Sequence, residues 1–328
     1  SPRRASPRKD MRLRAFVLAL AALASRSHGA VAAKTFSVHG YLPDYRPATA
    51  AARACARGAR VLAFSAAPAS SGRALDGLDG VWKKTDEDGD CASDLVVGGG
   101  GRSDGFGAAA ESPTALVAAV KRAVETHAFD GVSYDWEYPA RESDWMAFGE
   151  LLRATRDALD EMEGERKRLS FAIHPTVATF EAMVKFDLMK YVDYVHIMAY
   201  DSRDPRGHAA MSFVESLMEY VKREFDDVSK FTVGIPFYAR SMRTGEAKTY
   251  EDIRREFASS ENLDKDQNVV GDWAFDSVGV VRKKVRLARR MGFGGVMIWE
   301  LGQDVQDSSS LFLAIVDEIA SLDAHTEL

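Results

Sequence analysis

Residues Phe129–Pro139 read Phe-Asp-Gly-Val-Ser-Tyr-Asp-Trp-Glu-Tyr-Pro. The β-prone segment from Val132 to Trp136 predicts a strand, and its apolar neighbours argue against an exposed edge strand with solvated acids. Asp135 and Glu137 are two residues apart, so on a strand both side chains project from the same face, about 7 Å apart along the chain. Neighbouring carboxylates raise each other's pKa, and one of them can then hold a proton near neutral pH and act as a general acid.

Outward from this stretch, short apolar runs alternate with longer amphipathic segments. The runs predict eight strands, at Phe36–Tyr41, Val61–Ser65, Leu95–Val97, Val132–Tyr134, Leu169–Ile173, Tyr194–Met198, Thr232–Pro236 and Gly295–Ile298. Apolar residues at helical spacing predict helices between them, at Thr114–Thr126, Asp144–Met162, Met211–Phe225 and Ser277–Arg290. This order predicts an α/β fold, a single (β/α)8 TIM barrel, with a doubly wound open sheet as the alternative that periodicity alone does not separate.

The amino terminus differs from the rest of the chain. Basic residues precede the apolar run Ala15–Ala24, and Ala30-Val31-Ala32 forms a small-residue cleavage site. This arrangement predicts a secretory signal peptide within residues 1–32, since the apolar run is too short to span a bilayer as a helix. An uncleaved anchor is the alternative. We therefore expect a secreted monomer with one catalytic domain over residues 33–328 and no membrane association after cleavage.

Composition and charge limit the classes of molecule that the protein is expected to bind. The chain has 328 residues, of which 46% are hydrophobic and 28% charged, as is typical of a soluble globular protein with a sizeable core. Its formal net charge is −6, and removal of the basic amino terminus would leave the remainder more acidic. Such a charge does not suit nucleic acid or anionic membrane, whereas a neutral polymer is compatible with it.

Little in the sequence points to a metal or a cofactor. No His/Cys cluster has metal-ligand spacing, and the glycine run Gly98–Gly101 lacks the ending of a phosphate-binding loop. We interpret the acidic segment Asp86–Asp90 as a solvated turn, because the ligand spacing of a calcium loop is absent. Cys55 and Cys91 could form a disulfide in an exported protein or remain as two buried thiols.

The acidic stretch resembles the catalytic signature of family 18 glycoside hydrolases, the chitinase family, whose pattern is Asp-Gly-x-Asp-x-Asp-x-Glu. Asp130, Gly131, Asp135 and Glu137 match this pattern. Ser133 stands in place of the middle acid. Serine is neutral and cannot repel Asp135, so we expect Asp135 to ionise more readily in the empty site than it would beside a second carboxylate.

Other predicted strand ends match the family in the same order, and in a barrel the carboxyl ends of the strands carry the site. The third strand runs into Gly98, where serine is usual in the family. The resemblance implies a sugar-binding pocket that includes Tyr41, Met198, Asp201, Tyr238, Arg240 and Trp299. Trp299 would form its floor, because the apolar face of a sugar ring stacks on aromatic rings. An ion pair with Asp201 is the alternative role for Arg240.

The resemblance also implies a mechanism. Glu137 would protonate the glycosidic oxygen, while the acetamido oxygen of the substrate attacks the anomeric carbon. Asp135 would orient that group and Tyr200 would hold its oxygen. Asp130 would be a buried support behind the active strand, and Ser133 would be a second supporting residue that can donate a hydrogen bond to Asp135.

These expectations describe an enzyme that cleaves chitin or other N-acetylglucosamine-containing oligosaccharides. The alternatives are a chitin-binding lectin that does not cut and an endo-β-N-acetylglucosaminidase. The segment between Arg240 and Gly294 is too short for a large inserted α+β domain, so we expect a shallow cleft that favours internal cuts.

Overall fold

The computed structural model describes residues 35–258, 263 and 267–326. The predicted signal peptide, residues 1–32, lies outside the described residues, as do the first two residues of the predicted catalytic domain.

Eight parallel strands form a closed barrel. Each pairs with the next along the chain, and the last pairs with the first through the register Ser37 to Gly295. All eight predicted strands are confirmed, with bounds that differ from the predicted ones by one to three residues. The strands are β1 Ser37–Pro43, β2 Arg60–Pro68, β3 Ser93–Gly98, β4 Gly131–Asp135, β5 Arg168–Ile173, β6 Tyr194–Ile197, β7 Phe231–Pro236 and β8 Gly295–Trp299.

Helices cover the outside of the barrel. In the described residues they are α1 Thr49–Cys55, α2 Phe106–Glu111, α3 Thr114–Thr126, α4 Glu142–Asp160, α5 Val177–Lys185, α6 Met211–Glu224, α7 Tyr250–Glu256, α8 Val278–Met291 and α9 Leu311–Thr326. The predicted amphipathic helices correspond to α3, α4, α6 and α8. Helix α8 has the capping residues that begin and end a helix. The Ser277 hydroxyl accepts a hydrogen bond from Val280 N at its start, and Gly292, with φ 85°, ends it.

The closed barrel confirms the predicted α/β fold and excludes the open sheet. Apolar side chains of the helices and of the outward faces of the strands form one large core, while a smaller aromatic and aliphatic cluster fills the upper barrel around Tyr41, Leu62 and Met297. Polar side chains meet in the lower barrel. The two ring nitrogens of His196 lie 2.8 Å from Thr232 Oγ1 and 3.2 Å from Ser170 Oγ. His196 therefore has the structural role that its strand position suggests.

A small antiparallel sheet follows β7. It consists of Tyr238–Ser241, Ala247–Thr249, Val269–Val270 and Trp273–Ala274, with α7 beside it. The described part of the segment between Arg240 and Gly294 therefore contains no large inserted domain, as expected, but it contributes to this small sheet.

The two cysteines form a disulfide. Cys55 ends α1 and Cys91 lies just before β3, with their Cα atoms 4.9 Å apart. The bond ties the first helix to the loop that precedes the third strand, and it settles the alternative that the sequence left open. No described helix has the length and apolar character that a membrane crossing requires.

Candidate active site

A cleft of about 420 Å³ lies at the carboxyl ends of the barrel strands. It has both aromatic and charged walls, and it brings together residues from the ends of all eight strands, which are far apart in sequence. Nine of the predicted site residues line it: Tyr41, Asp135, Glu137, Met198, Tyr200, Asp201, Tyr238, Arg240 and Trp299.

The two central carboxylates have different environments. Asp135 is the last residue of β4 and is 3% exposed, whereas Glu137 is two residues beyond it and half-buried. Burial, followed by the charge of Glu137, raises the pKa of Asp135 well above its usual range. Burial also raises the pKa of Glu137, although the Tyr138 hydroxyl and the Gly100 N–H oppose that increase. The pair therefore retains a proton at higher pH than isolated carboxyl groups would.

The loop after β3 positions the backbone of this pair. Ser103 Oγ accepts a hydrogen bond from Glu137 N at 2.9 Å and donates to Gly99 O at 3.1 Å. Gly98 has φ 108°, and a Cβ atom there would lie 2.3 Å from the carbonyl oxygen of Asp135. A serine at this position would be incompatible with the approach of β4, so the backbone explains why glycine replaces the family's usual residue.

Ser133 and Tyr41 lie beneath Asp135 in the barrel. Both are buried, and in the described part of the chain neither the Ser133 hydroxyl, the Tyr41 hydroxyl nor Asp135 Oδ1 has a hydrogen-bond partner. Burial and the charge of Asp135 raise the pKa of Tyr41, and the nearby Ser133 hydroxyl partly offsets this. Burial raises the pKa of Asp135 whichever residue stands at position 133, so the expectation that Asp135 ionises more readily beside Ser133 than beside a second carboxylate stays a prediction.

An aromatic layer forms the floor. The ring centroid of Trp299 lies 5.3 Å from that of Tyr41 and 5.4 Å from that of Phe64, while one side of the indole remains open to the cleft. Tyr200 is buried, and its hydroxyl has a weak contact with Met297 Sδ at 3.9 Å. That hydroxyl can exchange this contact for a stronger hydrogen bond to a ligand oxygen.

Asp201 is held by three donors on the opposite wall. Arg240 makes two hydrogen bonds to its carboxylate, each of 2.7 Å, and Tyr238 donates a third at 2.8 Å. Burial would raise the pKa of Asp201, but hydrogen bonds from His208, Arg240 and Tyr238 outweigh it and lower that pKa to about 2. Arg240 thus has the ion-pair role and also lines the cleft.

Asp130 does not belong to this site. It precedes β4, so it lies at the amino-terminal end of the barrel, where it is only half-buried and accepts a hydrogen bond from Ser93 N at 2.8 Å. The prediction of a buried support behind the active strand is wrong, because Asp130 is only half-buried and lies at the opposite end of β4 from Asp135. Ser133 is buried below the cleft and does not line it.

The family described as Glycosyl hydrolases family 18 matches residues 83–304. The chain belongs to this family. Among curated proteins, Endochitinase 1 of Metarhizium robertsii is 26% identical over 271 residues, which are 66% of this chain and 62% of that protein. Chitinase 1 of Aphanocladium album is 26% identical over 281 residues, or 70% of this chain and 66% of that protein. The aligned part of the chain thus spans slightly less than two thirds of the length of these two relatives.

Solved structures of family 18 proteins share the fold. The chitinase ChiB of Flavobacterium johnsoniae has a TM-score of 0.70 at 22% identity, covering 88% of this chain and 95% of that one. A mutant of the class V chitinase of Nicotiana tobaccum in complex with NAG4 has a TM-score of 0.70 at 18% identity, covering 87% and 99%.

Several cleft residues of this family 18 protein escaped the sequence analysis: Tyr45, Phe64, Arg102, Tyr138 and Gln303. Phe64 could have been found, since it lies near the carboxyl end of a predicted strand, and Tyr138 follows the motif's last acid directly. Arg102 lies in a loop, and Gln303 ends the short 3-10 helix Leu301–Gln303; neither segment has a periodic signal in the sequence. Glu137-Tyr138 and Trp299-Glu300, at the ends of β4 and β8, are cis peptide bonds.

Proposed function

We propose that this family 18 protein hydrolyses β-1,4-linked N-acetylglucosamine polymers or oligomers. The observation that carries the proposal is the pair of carboxylates with raised pKa values, Asp135 and Glu137, above an aromatic floor that contains Trp299. A group with a raised pKa is suited to donate a proton near neutral pH. The open indole provides the apolar surface on which a sugar ring stacks.

In the proposed mechanism the substrate supplies its own nucleophile. Glu137 gives its proton to the glycosidic oxygen, the bond to the anomeric carbon breaks, and the acetamido oxygen bonds to that carbon to form an oxazolinium ion. Asp135 stabilises the positive charge, and Tyr200 donates to the acetamido group. Water then adds to the anomeric carbon as the bond from that carbon to the acetamido oxygen breaks, and the water gives a proton to the Glu137 carboxylate.

The buried position of Asp135 supports its role as the residue that stabilises the positive charge, with Glu137 as the acid. Asp135 is nearly inaccessible, so it is poorly placed to attack carbon itself, whereas Glu137 is open to the cleft. A buried carboxylate instead acts strongly on a charge that develops beside it, because few water molecules screen the interaction.

The same observations bear on the alternatives. A non-cutting lectin does not need an acid with a raised pKa, so Glu137 favours an enzyme over a lectin. No observation in the cleft specifically favours an endo-β-N-acetylglucosaminidase. We also propose, from the amino-terminal sequence alone, that residues 1–32 are removed and that the protein is secreted. A monomeric state is a separate proposal.

Product analysis tests the proposal. The purified protein is incubated with N-acetylglucosamine oligomers of two to six residues, and the products are separated by chromatography. We expect the longer oligomers to be cut at internal bonds. Binding of these oligomers without any cleavage would contradict the proposal and support the lectin.

A further inference from the structure

A buried ion pair joins two loops at the carboxyl end of the barrel. Arg46 lies in the turn after β1, and Glu300 directly follows Trp299 at the end of β8. The Nε–H of Arg46 donates to Glu300 Oε1 at 2.7 Å, and Glu300 is fully buried. Its second oxygen accepts a hydrogen bond from Gly302 N at 2.9 Å. The carboxylate thus has one donor from each of the two loops.

Both loops carry residues that line the cleft. Tyr45 directly precedes Arg46 and is 61% exposed, while Trp299 and Gln303 flank Glu300 on the other loop. In the described part of the chain, neither Arg46 nor Glu300 lines the cleft. The pair can therefore affect a ligand only through the residues beside it.

The two loops pack directly against each other. A Cβ atom at Gly302 would lie 2.7 Å from Arg46 Cδ, so the aliphatic part of the arginine covers the backbone of the 3-10 helix. A Cβ atom at Gly40 of β1 would lie 2.6 Å from Leu301 Cγ. With this close packing, a change in the geometry of the ion pair would shift one loop relative to the other.

The charge of Glu300 depends on Arg46. Burial raises the pKa of Glu300, and Arg46 and the Gly302 N–H oppose that increase. Burial, followed by the charge of Glu300, raises the pKa of Tyr45. In the described part of the chain, the titratable groups that interact with Glu300 are thus Arg46 and Tyr45, both from the loop after β1. A buried carboxylate that loses its cation is strongly destabilising.

We propose that Arg46 is a positioning residue for the cleft, because its ion pair with Glu300 fixes the loop that carries Tyr45 relative to the strand end that carries Trp299. The inference rests on the proposed function and deepens it. An oligosaccharide that covers Trp299 and reaches Tyr45 needs the two aromatic groups at a fixed separation. Arg46 acts through these residues and does not contact the substrate.

Binding of an N-acetylglucosamine tetramer to the Glu137→Gln protein tests this inference without cleavage. Calorimetry should show that an added Arg46→Leu change raises Kd about tenfold, because the leucine still packs on Gly302 but removes the ion pair. Arg290→Leu is the matched control, since Arg290 is an exposed arginine of α8 outside the cleft. It should leave Kd within about twofold of the starting value.

Thermal unfolding separates positioning from stability. Arg46→Leu leaves Glu300 buried without its cation, so the folded-state pKa of Glu300 rises further above the unfolded value. The stability of this variant is then retained at low pH and lost as the pH rises through the folded-state pKa. Its Tm deficit relative to the wild type should grow from about pH 5 to about pH 8, where it reaches about 5–10 °C.

A second change distinguishes the two effects. Adding Glu300→Gln to Arg46→Leu removes the buried charge, so most of the Tm should return. The affinity for the tetramer should stay about tenfold lower, because the loop after β1 is still not tied to the end of β8. This double variant also carries the test if Arg46→Leu alone does not fold.

The outcomes separate this inference from the proposed function. Recovery of both Tm and affinity in the double variant, or an unchanged affinity in the Arg46→Leu variant, would overturn the positioning role while the hydrolase remains. If the Glu137→Gln protein bound no oligomer and the wild-type protein cleaved none, the proposed function would fail, and the inference that rests on it would fail with it.

Discussion

The hydroxyl of Ser103 accepts a hydrogen bond from the backbone N–H of Glu137 at 2.9 Å. Ser103 comes from the loop after β3, and the same hydroxyl contacts the carbonyl oxygens of Gly99 and Asp135 at 3.1 and 3.3 Å. One side chain thus joins the ends of two neighbouring strands at the point where the catalytic acid leaves β4. Ser103 positions the acid without lining the cleft.

Replacement of Ser103 by alanine should lower kcat and leave KM nearly unchanged. The change leaves Glu137 N without its partner, at a cost of about 1–3 kcal/mol if that group stays buried, and it loosens the geometry of proton transfer. Steady-state kinetics should show a kcat about tenfold lower. Ser103→Thr keeps the hydroxyl and should restore most of the rate. Equal effects of both variants would indicate a general packing defect instead.

Replacement Glu137→Gln should abolish hydrolysis and preserve binding of oligosaccharides. The amide keeps the shape of the side chain but cannot deliver a proton, and general acid catalysis contributes roughly 10²–10⁴-fold. Calorimetry with an N-acetylglucosamine tetramer should give nearly the wild-type affinity. Activity within tenfold of the wild type would remove Glu137 from its role.

The pH dependence of kcat/KM should show a basic limb set by the carboxylate pair. Glu137 must carry a proton, so activity is present below the pKa of the pair and is lost as the pH rises through it. Burial raises that pKa, which moves the loss to higher pH than the ordinary glutamate value of about 4.3. Asp201, with a pKa of about 2, stays ionised throughout this window. A basic limb at the ordinary glutamate value would contradict the assignment.

Replacement Ser133→Asp should change the pH profile and lower Tm. The site is fully buried, and a second carboxylate two residues from Asp135 would couple to it and create a proton-sharing pair. The new carboxylate would also be fully buried beside Asp135, and an added buried charge lowers stability unless it is paired, so stability should fall. The matched control Ser133→Ala removes a hydroxyl group without a hydrogen-bond partner and adds no charge. Superimposable pH profiles for Asp and Ala variants would show that residue 133 has no electrostatic contact with the site.

The sequence predicted the barrel well because each strand carries its own signal. All eight strands appear as short apolar runs, and the strand-end rule located Tyr200, Asp201 and Trp299 in one cleft. The same rule, applied in full, excludes Asp130, since a residue that precedes a strand lies at the other end of the barrel. Because the motif was treated as one unit, Asp130 was assigned to the same site as the other acids.

The missed features depend on contacts between loops. Ser103, Arg102 and the small sheet after β7 have no periodic pattern, and their positions follow from how loops pack on a finished barrel. The ion pair between Arg46 and Glu300 joins two loops that are far apart in sequence, so no local pattern identifies it. Burial of Asp135, which determines the direction of its pKa, likewise depends on the assembled barrel.

The measurement that tests the account most directly is the anomeric configuration of the first product. NMR spectra recorded at early times during hydrolysis of an N-acetylglucosamine oligomer show the new reducing end before it mutarotates. Attack by the acetamido group followed by water inverts the anomeric carbon twice, so the account predicts the β-anomer, and inhibition by a thiazoline analogue of the sugar. An α-anomer as the first product would contradict substrate-assisted catalysis by Glu137 and Asp135.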